Sequence, residues 1–276
     1  MKKNLVTPLW LSKNLNDPDL IILDASPIEN KAGAQSKFEG CYIPGARHFD
    51  LKHTFSDSRS NLPHMFPTID QSVAGCRALG IGRQSKIVIY DNLGIYMSPR
   101  VWWMLRALGC EQVAVLDGGL SGWISNGYKV ESRLSTIIEE GNFQASMTRD
   151  HIKTIDDMVE NLREERYTAV DARSSGRFQG LAPEPRAGLS SGHIPGSINI
   201  PYTEVIENGR YKSIEDLKKV FEEKGIGEKP LIFLCGSGVT ACIVLLAAAL
   251  VLDNASYIYD GSWTEWASTP GPPIRK

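Results

Sequence analysis

Apolar residues in this chain gather into short unbroken runs instead of alternating with polar ones. Residues 20–25, 86–91 and 113–119 each run apolar and then close on an acid, at Asp24, Asp91 and Asp117. Runs of this length without alternation predict strands buried on both faces, the mark of parallel sheets. Residues 100–108 predict a helix between the second and third strands, and Gly40, Gly45 and Gly94 mark turns. The second half repeats the pattern. Residues 167–173 answer the first strand, 192–197 the turn at 41–46, 231–235 the second strand and 256–262 the third, with Trp266 answering Trp123. Matched landmarks in one order predict a duplicated α/β domain. The expected boundaries are a first domain at 1–130, a linker at 131–150 and a second domain at 151–276.

The duplication is unequal at one point. The second copy places Cys235 where the first has Asp91, and Gly236-Ser237-Gly238 follows the cysteine. The strand delivers Cys235 to its carboxyl end, the glycines turn the backbone, and a buried helix is expected to begin near Val239. In open α/β sheets ligands bind just past the carboxyl ends of strands. Loop N–H groups and a helix N-terminus aimed at the sulfur favour thiolate over thiol. This predicts a nucleophilic cysteine in a loop that cradles an anion. Residues 231–252 carry no charge and are long enough to span a bilayer, but the Gly-Ser-Gly break divides them into strand and helix lengths.

Composition narrows the partners. With 276 residues, 42% hydrophobic and 22% charged, the chain has core enough for two globular domains. A net charge of -2 gives no reason to expect nucleic acid or a membrane surface as partner. Five scattered cysteines suit reduced thiols in a cytoplasmic setting better than a disulfide framework. Lys2 and Lys3 are followed too soon by Pro8, Ser12, Lys13 and Asn14 for a secretory segment. No Cys/His cluster has zinc spacing, and neither a metal nor an organic cofactor is implied.

A lone thiolate in an anion loop suits phosphate-ester hydrolysis or sulfur transfer. The first needs an arginine six residues after the cysteine to clamp phosphate in bidentate fashion; that position holds Ala241. Sulfur transfer needs only the thiolate and backbone N–H groups to hold a persulfide anion. Of the other notable residues, Asp91 reads as structural, His193 as a turn residue bonding backbone, Trp102 and Trp103 as core. Cys41, Cys76, Cys110 and Cys242 read as small hydrophobes.

The paired D-A-[SR], [CH]-[YI]-I-P-G and D-G-G/D-G-S…W elements resemble the two-domain rhodanese family across nearly the whole chain. Within it, the loop from Cys235 through Gly236, Ser237, Gly238, Val239, Thr240 and Ala241 is similar to that of the 3-mercaptopyruvate sulfurtransferases. The resemblance implies two tandem rhodanese-like α/β domains, each a mostly parallel sheet flanked by helices. Cys235 would become a persulfide on taking sulfur from 3-mercaptopyruvate. The acceptor would be a small thiol, a thioredoxin-like protein or cyanide, and pyruvate would be released.

By the same resemblance Arg177 and Arg186 hold the donor's carboxylate and keto oxygens, with the carboxylate expected to lie away from the loop. Gly236, Gly238, Val239 and Thr240 line the substrate. Ser237 and His64 would act in a relay with an acid, but the family's acid position, two residues after Asp50, holds Lys52, with Asp57 the nearest substitute. His64 otherwise lines the domain interface. Two alternatives stay open: a thiosulfate sulfurtransferase with the same mechanism, and a non-catalytic sulfur-carrier or regulatory module. Basic residues after the cysteine mark the thiosulfate-preferring members, and Gly236 and Ser237 are neutral.

Overall fold

The structure is a computed structural model that describes residues 3–27, 36, 38–146 and 151–276; residues 147–150, the end of the expected linker, lie outside the described residues. The chain divides into two units. The first comprises Met1–Ser58, Phe66–Thr148 and Asn208–Tyr211, and the second Arg59–Met65, Arg149–Glu207 and Lys212–Lys276. His64 therefore groups with the second unit, although the sequence carries it in the first half.

The first unit runs β1 (Leu5–Val6), α1 (Pro8–Asn14), β2 (Leu20–Asp24), β3 (Arg47–His48), α2 (Ile69–Ala78), β4 (Lys86–Tyr90), α3 (Ser98–Ala107), β5 (Val113–Leu116) and α4 (Gly119–Ser125). Its sheet has the order β1-β5-β4-β2-β3, and every recorded pair is parallel.

The second unit begins with β6 (Ile152–Lys153), α5 (Ile155–Glu164), β7 (Thr168–Asp171), α6 (Ser175–Phe178) and β8 (Ile198–Asn199). The chain then forms a short hairpin of β9 (Ile206–Glu207) and β10 (Arg210–Tyr211), of which Asn208–Tyr211 group with the first unit. It turns through Asn208 and Gly209, both at positive φ as a two-residue hairpin turn requires. Then come α7 (Ile214–Glu223), β11 (Leu231–Leu234), α8 (Ala241–Val251), β12 (Ser256–Tyr259) and α9 (Ser262–Ser268). The five-stranded sheet has the order β6-β12-β11-β7-β8, again parallel throughout. The two sheets share one strand order, as expected of two copies of one α/β fold.

Burial explains why the apolar runs became these elements. All four residues of β11 and of β5 are buried, as are the last four residues of β2 and of β4. Helix α8 is apolar all round, and its residues from Ala241 to Ala248 are buried; a helix apolar on every face belongs inside a core. The uncharged stretch at 231–252 is thus β11, a loop and α8. Among the described residues no helix is long and apolar enough to cross a membrane. Helix α8 begins at Ala241, two residues later than the sequence suggested, because the turn runs on through Thr240.

Each core is pinned by a tryptophan after its last strand. Trp123 and Trp266 are both about 1% exposed or less, and their indole N–H groups donate to Lys129 O at 2.8 Å and Pro273 O at 3.0 Å. A buried indole that keeps a hydrogen-bond partner contributes its full apolar area to the core without stranding a polar atom.

Candidate active site

Cys235 stands immediately after β11, 2% exposed. The backbone around it is held from the start of α9. Ser262 Oγ accepts the Cys235 N–H at 3.2 Å and donates to Tyr259 O at 2.9 Å. Trp263 N–H donates to Cys235 O at 2.9 Å, and Thr264 donates to Gly236 O from its N–H at 3.1 Å and its hydroxyl at 2.6 Å. The carbonyls at 235 and 236 are therefore spent toward α9. Among the described residues the N–H groups of Gly236, Ser237, Val239 and Thr240 donate to no protein acceptor. Gly238 supplies the left-handed turn at φ +75, whereas Gly236 is not left-handed.

The first copy shows what such a loop does with an anion. Asp91 follows β4 as Cys235 follows β11, and Gly94 lies three residues on as Gly238 does, at φ +98. The Asp91 carboxylate is fully buried and turns back into its own loop. It accepts the N–H of Leu93, Tyr96 and Met97, each at 3.0 Å, the N–H of Ser98 at 2.9 Å and the Ser98 hydroxyl at 2.7 Å. By position these donors correspond to Ser237, Thr240, Ala241 and Cys242 of the second copy. Burial pushes the Asp91 pKa up and its hydrogen bonds pull it down. A group that accepts five hydrogen bonds and donates none among the described residues is held as a carboxylate, and in the second copy the equivalent residue is a thiol.

Arg177 and Arg186 come together at this loop. A methyl group built on Gly236 would meet Arg177 Nη2 at 3.2 Å and Arg186 Nη1 at 3.6 Å. A carboxylate held by these arginines was expected to lie away from the loop; both guanidiniums instead lie against the residue next to the nucleophile. A side chain at 236 would crowd the Arg177 guanidinium, which would have to give by a few tenths of an ångström.

Arg177, in α6, forms a fork with Glu184: Nε donates to Oε1 at 3.1 Å and Nη2 to Oε2 at 2.5 Å. Glu184 also takes Arg173 Nη1 at 2.9 Å. Arg173, itself fully buried, donates to both Asp171 oxygens and to Gly192 O, and stacks 4.0 Å from the Trp263 ring. Three guanidiniums against two carboxylates leave one positive charge, and Arg186 has no acidic partner among the described residues.

Ser237 is half-buried in the loop, and Val239 and Thr240 lead into α8. His64 is half-buried at φ +61 in the segment Arg59–Met65. Left-handed backbone is uncommon outside glycine, and Ser262, at φ +51 beside Cys235, shares it. His193 bonds backbone: its ring Nδ1 meets Phe178 O at 2.9 Å, so the neutral ring carries its proton there. Burial pushes the thiols of Cys76 and Cys110 up, Cys110 to about 12, which keeps both protonated and poor nucleophiles near neutral pH.

Glu184, Arg173, Trp263 and Ser262 were not singled out from the sequence. For three of them the signal was present in the mismatch between halves: Arg173 stands where the first copy has Ser26, Trp263 where it has Leu120, and Ser262 where it has Gly119.

Known proteins resemble this chain across nearly all of it. Residues 7–126 and 154–269 each match the rhodanese-like domain. The mouse 3-mercaptopyruvate sulfurtransferase is 44% identical over 272 residues, 95% of this chain and 91% of the mouse protein. An Arabidopsis thaliana mitochondrial thiosulfate/3-mercaptopyruvate sulfurtransferase is 41% identical over 96% of this chain and 76% of its own length. The crystal structure of SseA from Escherichia coli, described as a 3-mercaptopyruvate sulfotransferase of rhodanese fold, superposes with a TM-score of 0.83 at 34% identity, covering 95% of this chain and 99% of that one.

Proposed function

This chain belongs to the rhodanese family, and we propose that it is a sulfurtransferase that takes sulfur from 3-mercaptopyruvate through a persulfide on Cys235. The observation that carries this reading is the loop itself: a thiol stands where the first copy holds a buried anion, with unspent N–H groups around it and two guanidiniums beside it. The donor's carboxylate rests on Arg177 and Arg186. The Cys235 thiolate attacks the donor sulfur, an S–S bond forms, and the C–S bond breaks with its electron pair passing to carbon as the enolate of pyruvate. The enolate takes the proton of the former thiol and leaves as pyruvate. The outer sulfur remains as an anion, which the loop N–H groups stabilise.

In the second half-reaction an acceptor thiolate or cyanide attacks that outer sulfur and Cys235 leaves as thiolate, a ping-pong scheme. A small thiol or a thioredoxin-like protein suits the acceptor role. Ser237 and His64 are assigned to the relay that handles the proton. All five cysteines are free, which suits a reducing compartment, and the cytoplasm is the location we assign.

The competing donor is thiosulfate. With both arginines against the loop, neutral residues at 236 and 237 do not by themselves deprive a dianion of positive charge. Pyruvate release from 3-mercaptopyruvate, measured beside sulfite release from thiosulfate, separates the two. The expected kcat/KM favours 3-mercaptopyruvate by at least about tenfold, the discrimination of one charge-assisted contact. The reverse ratio would replace this reading by the thiosulfate one.

A second measurement tests the carboxylate partner. Arg177→Lys keeps the charge and loses the planar fork. Losing a charge-assisted pair costs about 1.5–3 kcal/mol, so kcat/KM for 3-mercaptopyruvate should fall roughly ten- to a hundredfold. Wild-type kinetics in Arg177→Lys would make the arginine a bystander.

A further inference from the structure

We propose that Glu184 is a positioning residue for the donor: it fixes the direction in which Arg177 presents its guanidinium at Gly236. The inference rests on the reading of Arg177 as partner of the donor carboxylate.

The geometry begins in the chain. Glu184 lies between Pro183 and Pro185. A proline fixes its own φ and biases the residue before it toward extended backbone, so the carboxylate is carried on a stiff segment. Its side chain is 2% exposed and meets two guanidiniums at once. Arg173, with a fully buried side chain, anchors one oxygen, and Arg177 takes both oxygens through Nε and Nη2. Arg177 itself keeps 21% of its side chain exposed. The fork uses the Nε edge of Arg177 and leaves Nη1 for a ligand, while Nη2, which the fork holds in place, is the atom nearest the space over Gly236.

The anchor reaches the nucleophile by a second route. Arg173 stacks on Trp263, whose N–H holds the Cys235 carbonyl. Cys235 and Arg177 are thus tied to one rigid chain of contacts: Cys235 carbonyl, Trp263, Arg173, Glu184, Arg177.

The first copy serves as the internal control. It builds the same sheet order with Ser26 in place of Arg173 and Leu120 in place of Trp263. The fold therefore does not require this ion network. Burying charges is costly even when they are paired, and apolar replacements often stabilise. Among the described residues this network occurs only in the copy with the thiol; dispensable to the fold and costly to bury, it belongs to the chemistry of that copy.

The test is a double-mutant cycle read by binding and by rate. Pyruvate, a monoanionic α-keto acid without transferable sulfur, is titrated against wild type, Glu184→Gln, Arg177→Ala and the double variant. Glu184→Gln is expected to weaken pyruvate and to raise KM for 3-mercaptopyruvate by about tenfold, with kcat changed by less than about threefold. In the Arg177→Ala background the same change should have almost no further effect, because residues acting through one contact are not additive. Glu184→Asp keeps the charge with a shorter reach; it should fold if the glutamine variant does not, and should retain Kd and KM closer to wild type than Glu184→Ala.

An unchanged pyruvate Kd in folded Glu184→Gln, or full additivity with Arg177→Ala, overturns the proposal. A wild type that binds pyruvate but transfers no sulfur would instead overturn the functional reading and leave this cycle intact.

Discussion

Cys235→Ser is expected to fold as wild type does and to release no measurable pyruvate from 3-mercaptopyruvate, and no sulfite from thiosulfate. The side chain is 2% exposed and forms no disulfide, so an oxygen in place of sulfur changes little in packing. The chemistry changes entirely. A serine hydroxyl beside the same N–H groups stays protonated near neutral pH and cannot hold a second sulfur as a persulfide. A loss of at least about a thousandfold in kcat follows, the scale seen when a covalent nucleophile is removed. Wild type treated with donor should gain the mass of one sulfur atom on the peptide containing Cys235, and the serine variant should gain none. Turnover in a folded serine variant, or a sulfur adduct on Cys110 or Cys76 instead, would mean the wrong thiol has been chosen.

Asp91→Ala should be among the most damaging substitutions in the first unit. It strands four backbone N–H groups and the Ser98 hydroxyl, all of which now converge on one carboxylate. Each buried donor left without a partner costs about 1–3 kcal/mol. Water entering the loop recovers part of this, so a net destabilisation of at least about 3 kcal/mol is expected. Asp91→Asn keeps one acceptor oxygen and turns an amide N–H toward the remaining donors; it should fall between alanine and wild type. Denaturant unfolding together with amide exchange at Met97 and Ser98 checks both variants. Unchanged exchange in Asp91→Ala would remove the internal precedent for an anion in the Cys235 loop.

Much of this architecture could be read from apolar runs, because strands buried on both faces leave no polar alternation to confuse the pattern. Residues 20–24, 86–90, 113–116 and 231–234 are strands in the structure, and Asp91 and Cys235 both fall just past their ends. Arg177 and Arg186 were legible through the family motif, but not their place against Gly236, since no pattern of spacing says which way a loop folds back over a strand end.

Glu184 was illegible for a related reason. An acid between prolines reads as an exposed loop charge, and only the tertiary arrangement reveals two arginines closing on it. The start of α8 was misplaced because Val239 is apolar and buried, which periodicity cannot distinguish from the first turn of a helix. His64 lies in the first half of the sequence and groups with the second unit, a crossing that no local pattern encodes.

The carboxylate of Asp91 is tethered by its own backbone to the groups that bind it. A tethered ligand acts at an effective concentration that a dissolved one does not reach. Sulfate, thiosulfate or an α-keto acid entering the first loop would have to displace a competitor unable to diffuse away. Ligand titrations of the intact chain should therefore saturate these two loops at one anion per molecule, bound at Cys235.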